Sequence, residues 1–183
     1  MSGSTARLRR FIGAIDRFTE RAGGALALLV VPLLAAAAYE VVARYAFEAP
    51  TTWAYEVIYM LCASMFMLGA AYALRTGAHV RTDFFWQRWS PRTRAAIDAA
   101  AYVAFFFPGV ALFMGVGAEA AWASFASGEI SAETAWQPPL WPLRAVVPLA
   151  AALLLVQGAA ELAKCVHALR SGEDYERQDG PVA

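Results

Sequence analysis

Five ionisable residues fall inside or beside long apolar runs: Glu40, Arg44, Glu56, Glu119 and Arg144. A charge at membrane depth is costly, so it normally faces protein or water and pairs. Proton relays, ion pathways and substrate sites in membranes are built from such residues. Glu40 and Arg44 stand four apart and share a helix face, which allows them to pair directly. A second group, His79, Arg81 and Asp83, sits at two-residue spacing in GAHVRTD (77–83), directly after an apolar run. Its members can brace a loop by side-chain-to-backbone bonds; the plainer reading is a surface or capping histidine. A metal site needs three or four convergent ligands, and the two histidines, His79 and His167, have no cysteine beside them. Haem in a bundle takes axial ligands at membrane depth, whereas both histidines fall at the ends of apolar runs. With no defensible nucleophile–base pair, phosphate loop or acid pair, the expectation is a non-enzyme without a cofactor.

The elements that would position these residues are apolar helices. The 183 residues are 60% hydrophobic, against about half in a soluble domain. Mean hydropathy is +0.45. The formal net charge is zero, which gives no reason to expect a nucleic-acid partner. Cys62 and Cys165 lie in different apolar segments and are read as packing residues at different depths, not as a disulfide.

Residues 7–21 place Leu8, Phe11, Ile12, Ile15 and Phe18 at three- and four-residue spacing among arginines and acids. That pattern predicts an amphipathic helix in the membrane interface, its arginines toward phosphate headgroups; a disordered basic leader is the alternative. A first span over 22–47 follows, with Pro32 expected to kink it mildly. Cleavage as a signal peptide is disfavoured by Asp16 and Glu20 in the leader and by apolar sequence continuing through Tyr45. Pro50 marks a turn, Thr51 or Thr52 can cap the next helix, and a second span covers 53–74. Its Ala63, Gly69, Ala70 and Ala73 would permit close helix approach. Phe84, Phe85, Trp86 and Trp89 beside Arg81 and Arg88 read as a short interfacial segment.

Ser90-Pro91 is a helix start, Ser as N-cap and Pro in the first turn. Helical sequence could run from there to about Phe125. Such a helix would be roughly 50 Å long, at about 1.5 Å per residue. A membrane-crossing part over 95–123 should therefore protrude, tilt or bend at Pro108-Gly109. A polar, acidic connection holding Glu129 and Glu133 leads to a fourth span over 141–164, then a polar tail over 167–183. The reading is one all-α domain: an integral membrane four-helix bundle preceded by an interfacial helix. Trp53, Trp86, Trp89, Trp122 and Trp141 are its expected interfacial anchors.

Arginine placement orients the bundle. Arg7, Arg9, Arg10, Arg17 and Arg21 precede the first span, and Arg75, Arg81, Arg88, Arg92 and Arg94 follow the second. Lys164, Arg170 and Arg177 follow the fourth, while only Arg44 and Arg144 lie on the other side. By the positive-inside rule both termini are cytoplasmic. The five membrane-level charges then gather toward the outer side. Three readings are open for them: internal pairing or snorkelling, contact with polar groups of another membrane subunit, or a relay within this chain. The last is weakened because no chain of acids continues inward.

The residues also carry a resemblance. RYAF (44–47), PTTWAYE (50–56), MLGAAYAL (67–74) and GAHVRTDFF (77–85), in this order and spacing, resemble the DctQ-like small membrane subunit of tripartite ATP-independent periplasmic (TRAP) transporters. WQPPLWPLRAVVPLAAALLLVQ (136–157) is similar to the branch labelled for mannitol or chloroaromatic compounds. The resemblance implies four helices with both termini inside. It implies a bacterial or archaeal cell membrane, a large multi-span partner and a periplasmic binding protein that delivers an organic anion. Sodium coupling would belong to the large subunit. The small subunit would be a scaffold anchoring the static part of an elevator, with Glu48, Glu129 and Glu133 as candidates for docking the binding protein. Two other functions compete on the bare sequence. An autonomous four-helix exporter would need a central acid, and Glu40 is off-centre. A membrane anchor of a redox complex would need mid-membrane histidines.

Overall fold

The computed structural model describes residues 3–77 and 89–172, with side chains from Arg7 onward. They form six α-helices: α1 (Gly3–Ala27), α2 (Val30–Ala46), α3 (Ala54–Thr76), α4 (Pro91–Ala101), α5 (Phe107–Ser127) and α6 (Trp141–Ser171). A π-helical turn, Tyr102–Phe106, joins α4 to α5. Four continuous or nearly continuous stretches are long and apolar enough to cross a membrane: Arg7–Ala46, Ala54–Thr76, Pro91–Ser127 and Trp141–Ser171. The loop signature His79, Arg81 and Asp83, and the anchor Trp86, lie outside the described residues.

Proline chemistry sets both interruptions. Pro32 lacks the N–H that would bond the Leu28 carbonyl, and its ring crowds that carbonyl. The chain tightens instead: Leu28 N–H bonds Ala25 O at 3.2 Å, Leu29 N–H bonds Leu26 O at 3.0 Å, and Val31 N–H takes the Leu28 carbonyl at 3.1 Å. The break between α1 and α2 therefore falls at Leu28–Leu29, one turn before the proline expected to kink the helix. Pro108 acts the same way on the Ala104 carbonyl. Here the helix widens, and Phe107 N–H reaches back five residues to Tyr102 O. Of the protrusion, tilt or bend expected around Pro108-Gly109, what the structure shows is a π turn placed just before that pair.

Helix ends follow local rules. Ser90 caps α4 by accepting the Thr93 N–H at 3.3 Å, with Pro91 in the first turn. Gly77, Gly128 and Gly172 close α3, α5 and α6 in the left-handed conformation that costs glycine least. Glu48, just past α2, takes a left-handed φ of 53° without that freedom.

α6 is the central helix. It packs against α1, α3, α4 and α5, whereas among the described elements α2 has substantial contacts only with α3. With Ile12 as the exception, every buried hydrophobic side chain of the described helices is an alanine, among them Ala36, Ala54, Ala71, Ala150, Ala151 and Ala160. Large apolar side chains point outward instead, including Val42, Phe66, Phe105 and Leu112. That inversion suits lipid: between helices in a membrane, close approach by small residues supplies the packing. Close approach is tightest where a glycine receives a ring. A Cβ on Gly158 would sit 2.3 Å from Phe106 Cε1, and one on Gly23 would sit 2.5 Å from Tyr72 Cδ2. Gly69, in the small-residue run of α3, instead has open space around it.

Candidate functional site

The polar side chains collect at two levels. The first is the end carrying the connections 47–53 and 128–140, called here the loop end. Glu40, on α2, bonds Arg44 through one carboxylate oxygen, with Arg44 Nε at 2.9 Å. Its other oxygen accepts the Thr51 N–H at 3.0 Å and the Thr51 hydroxyl. Thr51 in turn accepts the Ala54 N–H at 3.3 Å. One threonine thus satisfies the first N–H of α3, whose N-cap position is Trp53, and ties that helix start to α2.

Glu56 lies in the first turn of α3 and is 1% exposed. Its carboxylate accepts the Ser131 hydroxyl at 2.5 Å and the Thr134 hydroxyl at 3.2 Å. Both donors belong to the connection between α5 and α6. That connection is folded on itself: Ser131 N–H bonds Pro138 O at 2.9 Å and Leu140 N–H bonds Glu129 O at 3.0 Å. Glu129 pairs with Arg144, at the start of α6. An aromatic layer marks the same level. Trp53 packs against Tyr39 at 5.6 Å, and Phe125 lies between Trp122 at 5.9 Å and Trp141 at 5.6 Å. Trp89, exposed, stands at the opposite end before α4.

The structure therefore places four of the five membrane-level charges, Glu40, Arg44, Glu56 and Arg144, in contacts within the chain. It does not bring the five into one cluster. Glu119 is exposed on α5, and no hydrogen bond or ion pair joins it to any described residue. Glu48 and Glu133 are exposed at the loop end, and Glu129 is half-buried by its pairing.

The second level joins Asp16, Glu20, Arg75 and Lys164, read in the sequence only as leader and topology charges, to Thr19, Gln157 and Glu161, which that reading does not name. Gln157, on α6, is fully buried. Its carbonyl oxygen accepts the Thr19 hydroxyl at 2.7 Å, and its amide donates to Asp16 at 2.9 Å and Glu161 at 3.0 Å. Lys164 closes the network, 3.0 Å from Asp16 and 2.8 Å from Glu161. Nearby, Arg75 at the end of α3 pairs with Glu20 of α1 at 3.2 Å. A signal is present in the chain: Gln157, Glu161 and Lys164 recur at four and three residues, on one face of an otherwise apolar helix. Asp16 and Thr19 show the same spacing on α1.

α1 keeps the one-sided apolar pattern expected of it, and these contacts add a polar edge where that face meets the bundle. Ile12 and Thr19 are buried in the bundle, while Phe11 and Phe18 point away from it. The helix is bolted to α3 and α6 by its polar side as much as by its apolar one. Cys62 and Cys165 are not joined by a disulfide, and Cys62 is exposed on α3.

Chemically, both levels are clasps. Each carboxylate is held by cations, hydroxyls or an amide, most of them from a different element, so the arrangement joins elements. No curated protein matches the sequence. The family model described as "Tripartite ATP-independent periplasmic transporters, DctQ component" matches residues 33–168, from the first turn of α2 to the last turn of α6. This covers well over half the chain. With four apolar spans, and a family match that runs from the first of them to the end of the fourth, the chain belongs to the DctQ component family of tripartite ATP-independent periplasmic transporters.

Proposed function

We propose that the chain is the static scaffold subunit of its transporter. It widens and anchors the large membrane subunit while that subunit carries the substrate. The family is one of transporter components and not of enzymes, and its transporters combine a large membrane subunit with a periplasmic binding protein. The observation that carries the scaffold reading is the pair of clasps. Glu40–Thr51, Glu56–Ser131 and Arg144–Glu129 join helices and connections at the loop end, and Asp16–Gln157–Lys164 joins α1 to α6 at the other. A carrier must have an element free to move past another. A bundle fastened at both ends is suited to stand still.

In this reading the chain sits in the inner membrane with both termini in the cytoplasm, as the arginine distribution favours. The loop end then faces the periplasm. Glu48 and Glu133 are exposed there and are the candidate contacts for the binding protein. The substrate is an organic anion, a carboxylate by the family resemblance, and it and sodium are bound by the large subunit. The aromatic layer of Trp53, Trp122 and Trp141 holds the depth of the bundle against the tilting forces of a moving neighbour.

The test is reconstitution. Vesicles holding this chain alone should show no binding-protein-dependent uptake under a sodium gradient. Vesicles holding it together with the large subunit should take up the substrate when the binding protein is added. Uptake by the chain alone would sink the scaffold reading.

A further inference from the structure

We infer that the face of α5 centred on Glu119 is the surface on which the large subunit seats, through a transmembrane helix that presents a lysine or arginine to that carboxylate. The inference rests on the reading that the chain partners the large subunit, and it adds where.

Four observations converge on this face. Glu40, Arg44, Glu56 and Arg144 each have a partner within the chain, so their charge is already compensated or hydrogen-bonded. Glu119 alone among the five has none among the described residues. Its direction is also fixed. Each residue advances the helix by about 100°, which sets Glu119 on nearly the opposite side from Gly117 and Ser124, the two buried residues of α5. It therefore points away from α6, the long helix against which α5 packs.

Its depth is fixed by its neighbour Trp122. Glu119 lies one turn further into the apolar helix than Trp122, or about 4.5 Å along the axis. The carboxylate thus sits below the aromatic layer of Trp122, Phe125 and Trp141. Above and below it on the same face come Trp122, Gly115 and Leu112, all exposed, and a Cβ on Gly115 would meet nothing within 4 Å.

Lipid tails offer a carboxylate neither charge nor hydrogen bonds, and an ionisable residue at such a position calls for a protein partner. The missing partner is cationic by complementarity, because no cation among the described residues reaches Glu119. Gly115 leaves room for a helix to approach closely, and Leu112 and Trp122 supply apolar contact on either side of the pair.

The experiment uses the complex as it assembles in the membrane. The chain is co-expressed with its large subunit, carrying a photo-crosslinking amino acid at Leu112 or Trp122, or at Phe66 on the exposed face of α3. Covalent adducts to the large subunit from Leu112 and Trp122, and not from Phe66, support the inference. Glu119→Lys should reduce the co-purified large subunit by on the order of tenfold, and Glu119→Gln by less. Glu119 is exposed, so both variants should be produced at the unaltered level. Adducts from Phe66 only, or full co-purification with Glu119→Lys, overturn the proposed face while leaving the partnership intact. Failure of the unaltered chain to co-purify with the large subunit overturns the partnership itself.

Discussion

The Gln157 amide nitrogen lies 2.9 Å from an Asp16 carboxylate oxygen, joining residues 141 positions apart in the chain. Gln157 is the neutral member that touches both acids of the network, and it also receives the Thr19 hydroxyl. Two carboxylates and a single ammonium would be hard to arrange without it. The amide supplies the second donor that each acid needs once α1 and α6 have closed over them.

Gln157→Leu should therefore cost more than the loss of one hydrogen bond. It leaves the Thr19 hydroxyl buried without its acceptor and removes a donor from Asp16 and Glu161. The expected destabilisation is about 1–3 kcal/mol. Thr19→Val, which removes one partner and no charge contact, should cost less. Thermal unfolding of the detergent-purified chain measures both, and equal midpoints for Gln157→Leu and the unaltered chain would count against the clasp.

Gly158→Ala should strain the contact between α6 and the π turn, because the added methyl would fall 2.3 Å from Phe106 Cε1. The expected cost is about 1–3 kcal/mol, the usual range for overpacking. Phe106→Leu on the same chain should recover part of it by vacating the space. A double-mutant cycle by thermal unfolding reads this directly, and strict additivity would show that the ring and the glycine do not meet.

Glu56→Ala should loosen the connection between α5 and α6, since both Ser131 and Thr134 lose their acceptor. The measurable outcome is faster proteolysis within 128–140, with little change in α3. Glu56→Gln keeps an acceptor oxygen and should behave close to the unaltered chain. Loss of the large subunit from Glu56→Gln with unchanged proteolysis would instead make this residue an intersubunit contact.

Much of the architecture can be read in advance because membrane helices announce themselves by length. Four apolar runs, the Ser90-Pro91 start and the pairing of Glu40 with Arg44 all depend on neighbours within a few residues. The partners of the other charges do not. Glu56 meets Ser131 and Thr134 across 75 and 78 positions, and nothing local in either segment marks the other. The network of Asp16, Gln157 and Lys164 is hidden only in part. Gln157, Glu161 and Lys164 share one face of an otherwise apolar helix, but nothing near them shows that Thr19 and Asp16, 138 and 141 positions from Gln157, close over it. The two helix interruptions show a third limit. A proline's position is plain in sequence, but its effect falls on the carbonyl four residues earlier. The break and the π turn therefore appear ahead of Pro32 and Pro108.

The alanine interior has a mechanical consequence. A soluble core filled with leucine and phenylalanine can yield to stress by letting side chains hop between rotamers while backbones stay in place. Ala36, Ala54, Ala71, Ala150, Ala151 and Ala160 have no rotamers to exchange. Deforming this bundle means sliding one backbone along another, and the bonds at its two ends resist that motion. The chain is built less like a filled sphere than like a truss, with short struts pinned at both ends and stiffest against shear.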